Sequence, residues 1–420
     1  MSEGPQPRRG QRKRRTGASD PGRRKVLFIG EGCTLAHAAR PLALAAALPA
    51  DRFEAVVATP ERYRGWASGA VQWRPLEAQT PEAFAERLKS GRPLFSRGRL
   101  EAYAAEDAAL IDAVRPQVVV GDFRLSLAAS ARSAGVPYIS LSNAYWSPDR
   151  PLRAPRPLLD RFSGWPAPAA GLAFRLLLPA ALRWHARPVD ELMTAHGLGG
   201  VGLDVRRAFT EADLTLYADF PGLFPDVAET ARRRFLGPVL WEPPVAEPDW
   251  WDAIPDDKPL AYVTLGSSGE VDALERIVRW LQQMGYAVLL ATAGRAEVEG
   301  DGQTLFVADY LPGLLVCELA DLVVCNGGSP TATQALAKAR PVLGVVSNMD
   351  QLLNMRAVQE QGAGVCVRAD ALTPRRFENA VNRLSGFRAA KAAARFAAEA
   401  AALDPVRTLI QAIEELAGSS

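Results

Sequence analysis

Cysteine and histidine are scarce in this chain of 420 residues, at four and three copies. Cys33, Cys317, Cys325 and Cys366 form no Cys-x-x-Cys pair, and His37, His185 and His196 fall at no metal-ligand spacing. The pattern argues against a disulfide scaffold and a bound metal, and predicts free thiols in a reducing cytoplasm. Long apolar runs are missing too: none reaches the roughly 18–20 residues that span a bilayer. The nearest, AGLAFRLLLPAALRWHA at 170–186, is interrupted by Arg175, Pro179 and Arg183. It predicts an amphipathic helix pair with a proline between, leaving peripheral contact with a membrane open. Acidic charge is almost absent from the first 25 residues, which carry nine Lys/Arg against two acids. The run lacks the apolar centre of a signal peptide, and residues 1–24 fit a disordered basic tail. Subtracting that +7 from the chain's +2 leaves −5 on the remainder. A body of that sign argues against nucleic acid as the main partner. A solubilising tail or a mis-assigned start accounts for the basic residues, with a binding arm as the alternative.

What is present is a repeating α/β pattern in a chain long enough for two cores. RKVLFIG at 24–30 is a short apolar run closed by glycine, the signature of a strand buried on both faces. An Ala/Leu-rich helix and further strand–helix units follow through residue 143. Residues 146–200, rich in proline and aromatics, break the rhythm; they fit a lid or ligand wall, or helices packed over a sheet edge. The strand–helix alternation restarts after WEPPVAEPDWWDAIPDDKP at 241–259, a linker rich in Pro, Trp and acid. The predicted architecture is therefore α/β: two Rossmann-like domains, 25–240 and 260–420, flanking an interdomain cleft.

Two loops in the second half have the chemistry of an anion site. VVCNGGSPTATQAL passes from strand to helix through Asn326, Gly327, Gly328, Ser329, Pro330 and Thr331. Glycines allow close backbone approach, hydroxyls cap or donate, and proline suits a first helical turn. Unpaired amides at such a helix start attract phosphate without a dedicated cation. An ordinary strand-to-helix turn has the same composition. Gly266, Ser267 and Ser268 form a second loop after another strand, and two such loops suit one phosphate-bearing ligand. Asp350 and Gln351 follow a further strand, where an acid beside an amide can grip sugar hydroxyls or cap the helix.

In this order the pieces resemble the donor domain of the family 1 nucleotide-sugar glycosyltransferases, which have GT-B architecture. The match runs over residues 261–365, with Gly327, Gly328, Thr331, Pro341, Asp350, Gln351 and Asn354 in register. The chain departs from the family where a diphosphate-contacting histidine becomes Asn326, a glycine or asparagine becomes Pro330, and a ribose-gripping acid becomes Gln334. Tyr310 takes the place of a base-binding tryptophan. The resemblance implies a nucleotide-diphosphate sugar as co-substrate, with no separate cofactor, and a small-molecule acceptor. GEGCTLAHAARPLALA resembles the family's histidine-bearing loop, making His37 the catalytic base and Asp122, at the end of VVVGD, the acid behind it. Such a pair makes physical sense, because a carboxylate fixes the imidazole tautomer and stabilises its charged form. The expectation is an inverting transferase acting on a hydroxyl of an apolar acceptor. The alternatives are a non-catalytic relative with a degenerate donor site and a nucleotide-sugar epimerase.

Overall fold

The computed structural model describes residues 22–67, 71–152, 167–266 and 273–418. The first sheet has seven parallel strands: β1 (Arg24–Gly30), β2 (Phe53–Thr59), β3 (Gln72–Pro75), β4 (Val118–Asp122), β5 (Tyr138–Ser142), β6 (Leu214–Tyr217) and β7 (Arg233–Phe235). Their order is β3-β2-β1-β4-β5-β6-β7, so the winding reverses between β1 and β4. The second sheet has six parallel strands: β8 (Leu260–Thr264), β9 (Ala287–Ala291), β10 (Leu305–Ala308), β11 (Leu322–Cys325), β12 (Val342–Val346) and β13 (Gly364–Arg368). Its order, β10-β9-β8-β11-β12-β13, reverses between β8 and β11. Ligands of open α/β sheets lie beyond the carboxyl ends of strands at such reversals. Both domains aim theirs at one cleft.

Strand identity follows from burial. Val26, Leu27, Phe28 and Ile29 of β1 are fully buried, which only a strand covered on both faces achieves. The short β3, with the sequence QWRP, lacks that apolar run and escapes sequence analysis; it sits on the sheet edge beside β2. Helix α1 (Leu35–Ala47) follows β1 at once. The crossing is tight, because a Cβ on Gly30 would meet the His37 carbonyl oxygen and come within 3.2 Å of Pro41.

Two expectations require correction. Residues 170–186 belong to a single helix, Ala167–Ala195, with Pro179 and Pro188 inside it, not to a pair. Its C-terminal half is held by the first domain's core through Ala186, Val189, Leu192 and Met193. The N-terminal half lies across the cleft, where Ala170 and Phe174 pack with Met349 of the second domain. Packing at both ends keeps the helix continuous despite the hydrogen bonds its prolines cannot make. The chain's end also departs from the 260–420 assignment. Leu409, Ala412 and Ile413 of the last helix, Pro405–Gly418, pack with Val26, Phe28 and Val120 of the first domain. Apolar periodicity shows that this helix has a core face but not which core receives it.

An apolar interface joins the domains. Tyr145, Phe220 and Phe224 share a cluster with Val346, Leu352 and Phe396, and the Phe220 and Phe396 rings lie 5.4 Å apart. Gly30→Ala should cost about 1–3 kcal/mol through overpacking against the backbone that carries His37. A urea titration checks the cost; unchanged stability would show that this crossing is loose.

Candidate active site

The site is built on Asp122, the last residue of β4, whose Cα pairs with that of Gly30 across the sheet reversal. Its side chain is fully buried. Oδ1 lies 2.7 Å from His37 Nδ1 and accepts from Arg40 Nη2 at 2.9 Å; Oδ2 accepts from Arg40 Nε at 2.7 Å. His37 and Arg40 are three positions apart on α1, the spacing that places two side chains on one helix face. The bidentate guanidinium fixes the carboxylate plane, and the bond to Nδ1 leaves Nε2 as the ring nitrogen not engaged by Asp122. Phe123 stacks on the imidazole, with centroids 4.4 Å apart and planes 10° from parallel. Its φ of 57° is the left-handed conformation that an aromatic residue rarely adopts, so strain is stored at this turn.

Behind the pair, a buried charge cluster rivets the loops after β1 and β4. Arg124 is fully buried and donates to Asp107 Oδ1 at 2.9 Å, Glu31 Oε2 at 3.1 Å and Glu106 Oε2 at 2.8 Å. The Tyr103 ring lies 3.7 Å from its guanidinium carbon, and the Tyr103 hydroxyl donates to Glu31 Oε1 at 3.1 Å. Burial pushes the Glu31 carboxyl up to about 7 despite Arg124. Its folded-state value lies above the unfolded one, so Glu31 withdraws stability as pH rises from about 4.5 to 7.

A polar seam crosses to the second domain just past β5. Arg40 Nη1 donates to Asn143 Oδ1 at 3.0 Å, and Asn143 Nδ2 donates both to Asp219 Oδ1 at 2.9 Å and to Ser329 Oγ at 3.2 Å. Burial pushes the Asp219 carboxyl up to about 6. Three residues further on, Trp146 Nε1 donates to Asp350 Oδ1 at 2.8 Å.

The second domain's loops occupy the opposite wall. Helix Ser329–Ala337 starts at the carboxyl end of β11, and its geometry leaves the Ser329 and Thr331 amides without intrahelical acceptors. Asn326 Oδ1 accepts from the Gly328 amide at 3.0 Å, so that N–H serves the turn itself. Gly266, with φ +55°, and Asn326, Gly328, Ser329 and Thr331 all line the cleft. Gly327 does not: a Cβ there would meet Met355 and Val346 at 2.7 Å, and its carbonyl accepts from Asn354 at 2.9 Å. Gln334 lines the cleft but donates to the Trp241 carbonyl of the linker. Gln351 also lines it, with Oε1 accepting from the Ser347 amide at 2.8 Å. Tyr310 is 37% exposed and meets Trp66 edge-on at 5.9 Å, and Trp66 lies 5.3 Å from Trp241. Ser267 and Ser268 lie outside the described residues.

Together these walls enclose a cavity of about 700 Å³ that reaches from His37 to Asp350. Toward the first domain it is apolar, lined by Phe84, Phe123, Phe174, Leu178, Trp184 and Phe209. Among the described residues no group of three His, Cys, Asp or Glu side chains is placed to hold a metal ion.

Sequence reasoning missed Arg40, Asn143, Asp219, Trp146 and Trp66. Arg40 had one usable signal, its i+3 spacing from His37 on a helix following a buried strand. The other four sit on loops or turns whose positions depend on the whole fold.

Twin reversal points facing one cleft, with a histidine–carboxylate pair on one side and a phosphate-type helix start on the other, define a GT-B transferase. Residues 287–416 match the C-terminal domain family described as erythromycin biosynthesis protein CIII-like. A PGL/p-HBAD biosynthesis glycosyltransferase of Mycobacterium tuberculosis (strain ATCC 25177 / H37Ra) is 41% identical over 380 residues, 89% of this chain and 88% of the relative. A PGL/p-HBAD biosynthesis rhamnosyltransferase of Mycobacterium bovis (strain BCG / Pasteur 1173P2) is 41% identical over 363 residues, 86% of this chain and 80% of the relative. Among solved structures, the kitacinnamycin glycosyltransferase superposes with TM-score 0.66 at 19% identity, covering 95% of this chain and 100% of its own. Spinosyn rhamnosyltransferase SpnG, complexed with thymidine diphosphate, gives TM-score 0.60 at 20% identity, covering 93% of this chain and all of its own. The chain belongs to the family 1 glycosyltransferases and is a glycosyltransferase.

Arg124→Met should destabilise the protein by about 3–5 kcal/mol at pH 7, because three carboxylates lose their shared cation. The loss should shrink near pH 5, below the value of about 7 to which burial raises Glu31; denaturant titrations at both values read the difference. A loss independent of pH would mean that packing, not charge, is what Arg124 supplies.

Proposed function

We propose that the cleft transfers a sugar, with inversion, from a nucleoside-diphosphate sugar to a hydroxyl of an apolar small molecule. The observation that carries this is the 2.7 Å contact of His37 Nδ1 with buried Asp122, at the reversal point facing the start of helix Ser329–Ala337. In this reaction the acceptor O–H gives its proton to His37 Nε2 as its oxygen forms a bond to the anomeric carbon. The bond from that carbon to the diphosphate oxygen breaks, and the leaving group takes the electron pair. Asp122 stabilises the imidazolium that forms. The amides of Ser329 and Thr331, at the positive end of the helix, meet the charge growing on the diphosphate. They can do so without a metal ion.

Gly266 and Asn326 flank the same anion position, with Ser267 and Ser268 assigned to it from the sequence. The Tyr310–Trp66–Trp241 cluster receives the base. Asp350 and Gln351 face the sugar. Trp146 holds one Asp350 oxygen at 2.8 Å, which ties that grip to the contact between the domains. Gln334 and Gly327 act by shaping the loops, Gln334 through the linker carbonyl and Gly327 through its left-handed backbone. The aromatic and leucine wall suits an apolar acceptor. The names of the relatives make a rhamnosyl donor and acceptors of PGL/p-HBAD biosynthesis the first to test, and thymidine diphosphate, bound by SpnG, the first nucleotide.

His37→Ala should lower kcat by about 10²–10⁴-fold, the usual contribution of a general base, with affinity for the nucleoside diphosphate unchanged in calorimetry. Turnover equal to wild type would remove His37 from this role. Trp146→Phe deletes one hydrogen bond to Asp350, worth about 1 kcal/mol, and should raise the donor KM about 3- to 10-fold while sparing the acceptor KM. A change confined to the acceptor KM would assign Trp146 to the acceptor wall instead.

A further inference from the structure

The helix Ala167–Ala195 carries a feature that catalysis does not use. Its outer face exposes Leu172 at 60% and Leu176 at 73%, while its C-terminal half is anchored in the first domain. Most large apolar side chains on the described surface are isolated, whereas these share one helix. Leu172, Leu176, Pro179, Arg183 and Arg187 recur at three- and four-residue spacing, and Arg175 lies beside them. No Asp or Glu occurs from Ala167 to Val189; Arg187 is paired with Glu191 at 2.6 Å, and Arg175 and Arg183 leave this face positively charged although the chain beyond residue 25 carries −5. Exposed leucine and arginine on one helix face, with no acid before Asp190, is the composition of helices that lie in a membrane interface. There the apolar side chains enter the boundary with the acyl chains, and each arginine meets anionic headgroups. Among the described residues no helix is long and apolar enough to cross a membrane, so the contact is peripheral.

Position supplies the second argument. Leu177, Leu178, Leu182 and Trp184 of the same helix line the catalytic cavity. One helix thus presents its outer face to the surroundings and its inner face to the acceptor wall.

We infer that the outer face of helix Ala167–Ala195 docks the enzyme on an anionic lipid surface, so that a lipid-embedded acceptor reaches the cleft along Leu177 and Leu178. The docking step stands independently of the proposed reaction; only the delivery step rests on it. The test is cosedimentation of the full chain with phosphatidylcholine vesicles, with and without phosphatidylglycerol. Leu172→Asp/Leu176→Asp and Arg175→Glu/Arg183→Glu are compared with wild type. None of these four side chains lines the cavity, and unchanged circular-dichroism melts confirm folding. The expected result is binding to the anionic vesicles alone, weakened by salt, and reduced at least about tenfold in each double variant. Transfer to a water-soluble phenol should be unchanged in both variants, while transfer to a vesicle-borne phenolic lipid falls. If wild type fails to bind vesicles, or binds no better than the variants, the docking inference is overturned. Concentration-dependent self-association abolished by Leu172→Asp/Leu176→Asp, without vesicle binding, would overturn it in favour of a second copy of the chain. If neither phenol is glycosylated while binding persists, the proposed reaction fails and docking stands.

Discussion

Everything in the cleft is referred to one buried carboxylate. Asp122 has no solvent to stabilise its charge, and an unpaired buried carboxylate is strongly disfavoured. Its partners are therefore structural requirements as well as chemical ones. Arg40 supplies two hydrogen bonds and the counter-charge, and His37 shares the remaining lone-pair space. Because both come from the first two turns of α1, the pairing fixes that helix against β4 and orients the imidazole at the same time. Folding energy and the geometry of the proposed catalytic pair are carried by the same atoms.

From this point the polar seam extends outward. Arg40 leads to Asn143, Asn143 to Ser329, and Trp146 to Asp350. The two groups contacted in the second domain lie at the starts of the helices that line the cleft. The seam thus aligns His37 with the proposed sugar-binding wall, while the apolar interface around Phe220 and Phe396 supplies the burial that holds the domains together. An interface that is polar near the chemistry and apolar behind it permits exact partners at the site without sacrificing cohesion. The last helix adds to this, because residues 405–418 return to the first domain and tether the second by its end.

The chain's departures from the family pattern take on physical meaning in this frame. Asn326, in the position of a histidine, uses its carbonyl to hold the Gly328 amide, so part of the anion loop is braced by its own side chain. Pro330 removes one amide, but Ser329 and Thr331 retain theirs in the first turn. Gln334 bonds the linker carbonyl of Trp241, a contact that a carboxylate in its place could not make because it lacks a donor.

By itself the sequence determined what depends on local pattern. The family resemblance put Asp122 behind His37; apolar runs alternating with helices announced the strands of the second domain, and glycine-bearing turns marked two of its crossovers. Those features are set by neighbours in the chain, through burial on both strand faces and the backbone freedom of glycine. The tertiary structure alone decided which side chains meet across loops: Arg40 on Asp122, Asn143 on Ser329, Trp146 on Asp350. It also decided that two prolines lie inside one helix and that the final helix changes domain. Contacts of that kind join residues tens to hundreds of positions apart, and apolar periodicity reports that a face is buried without reporting against what.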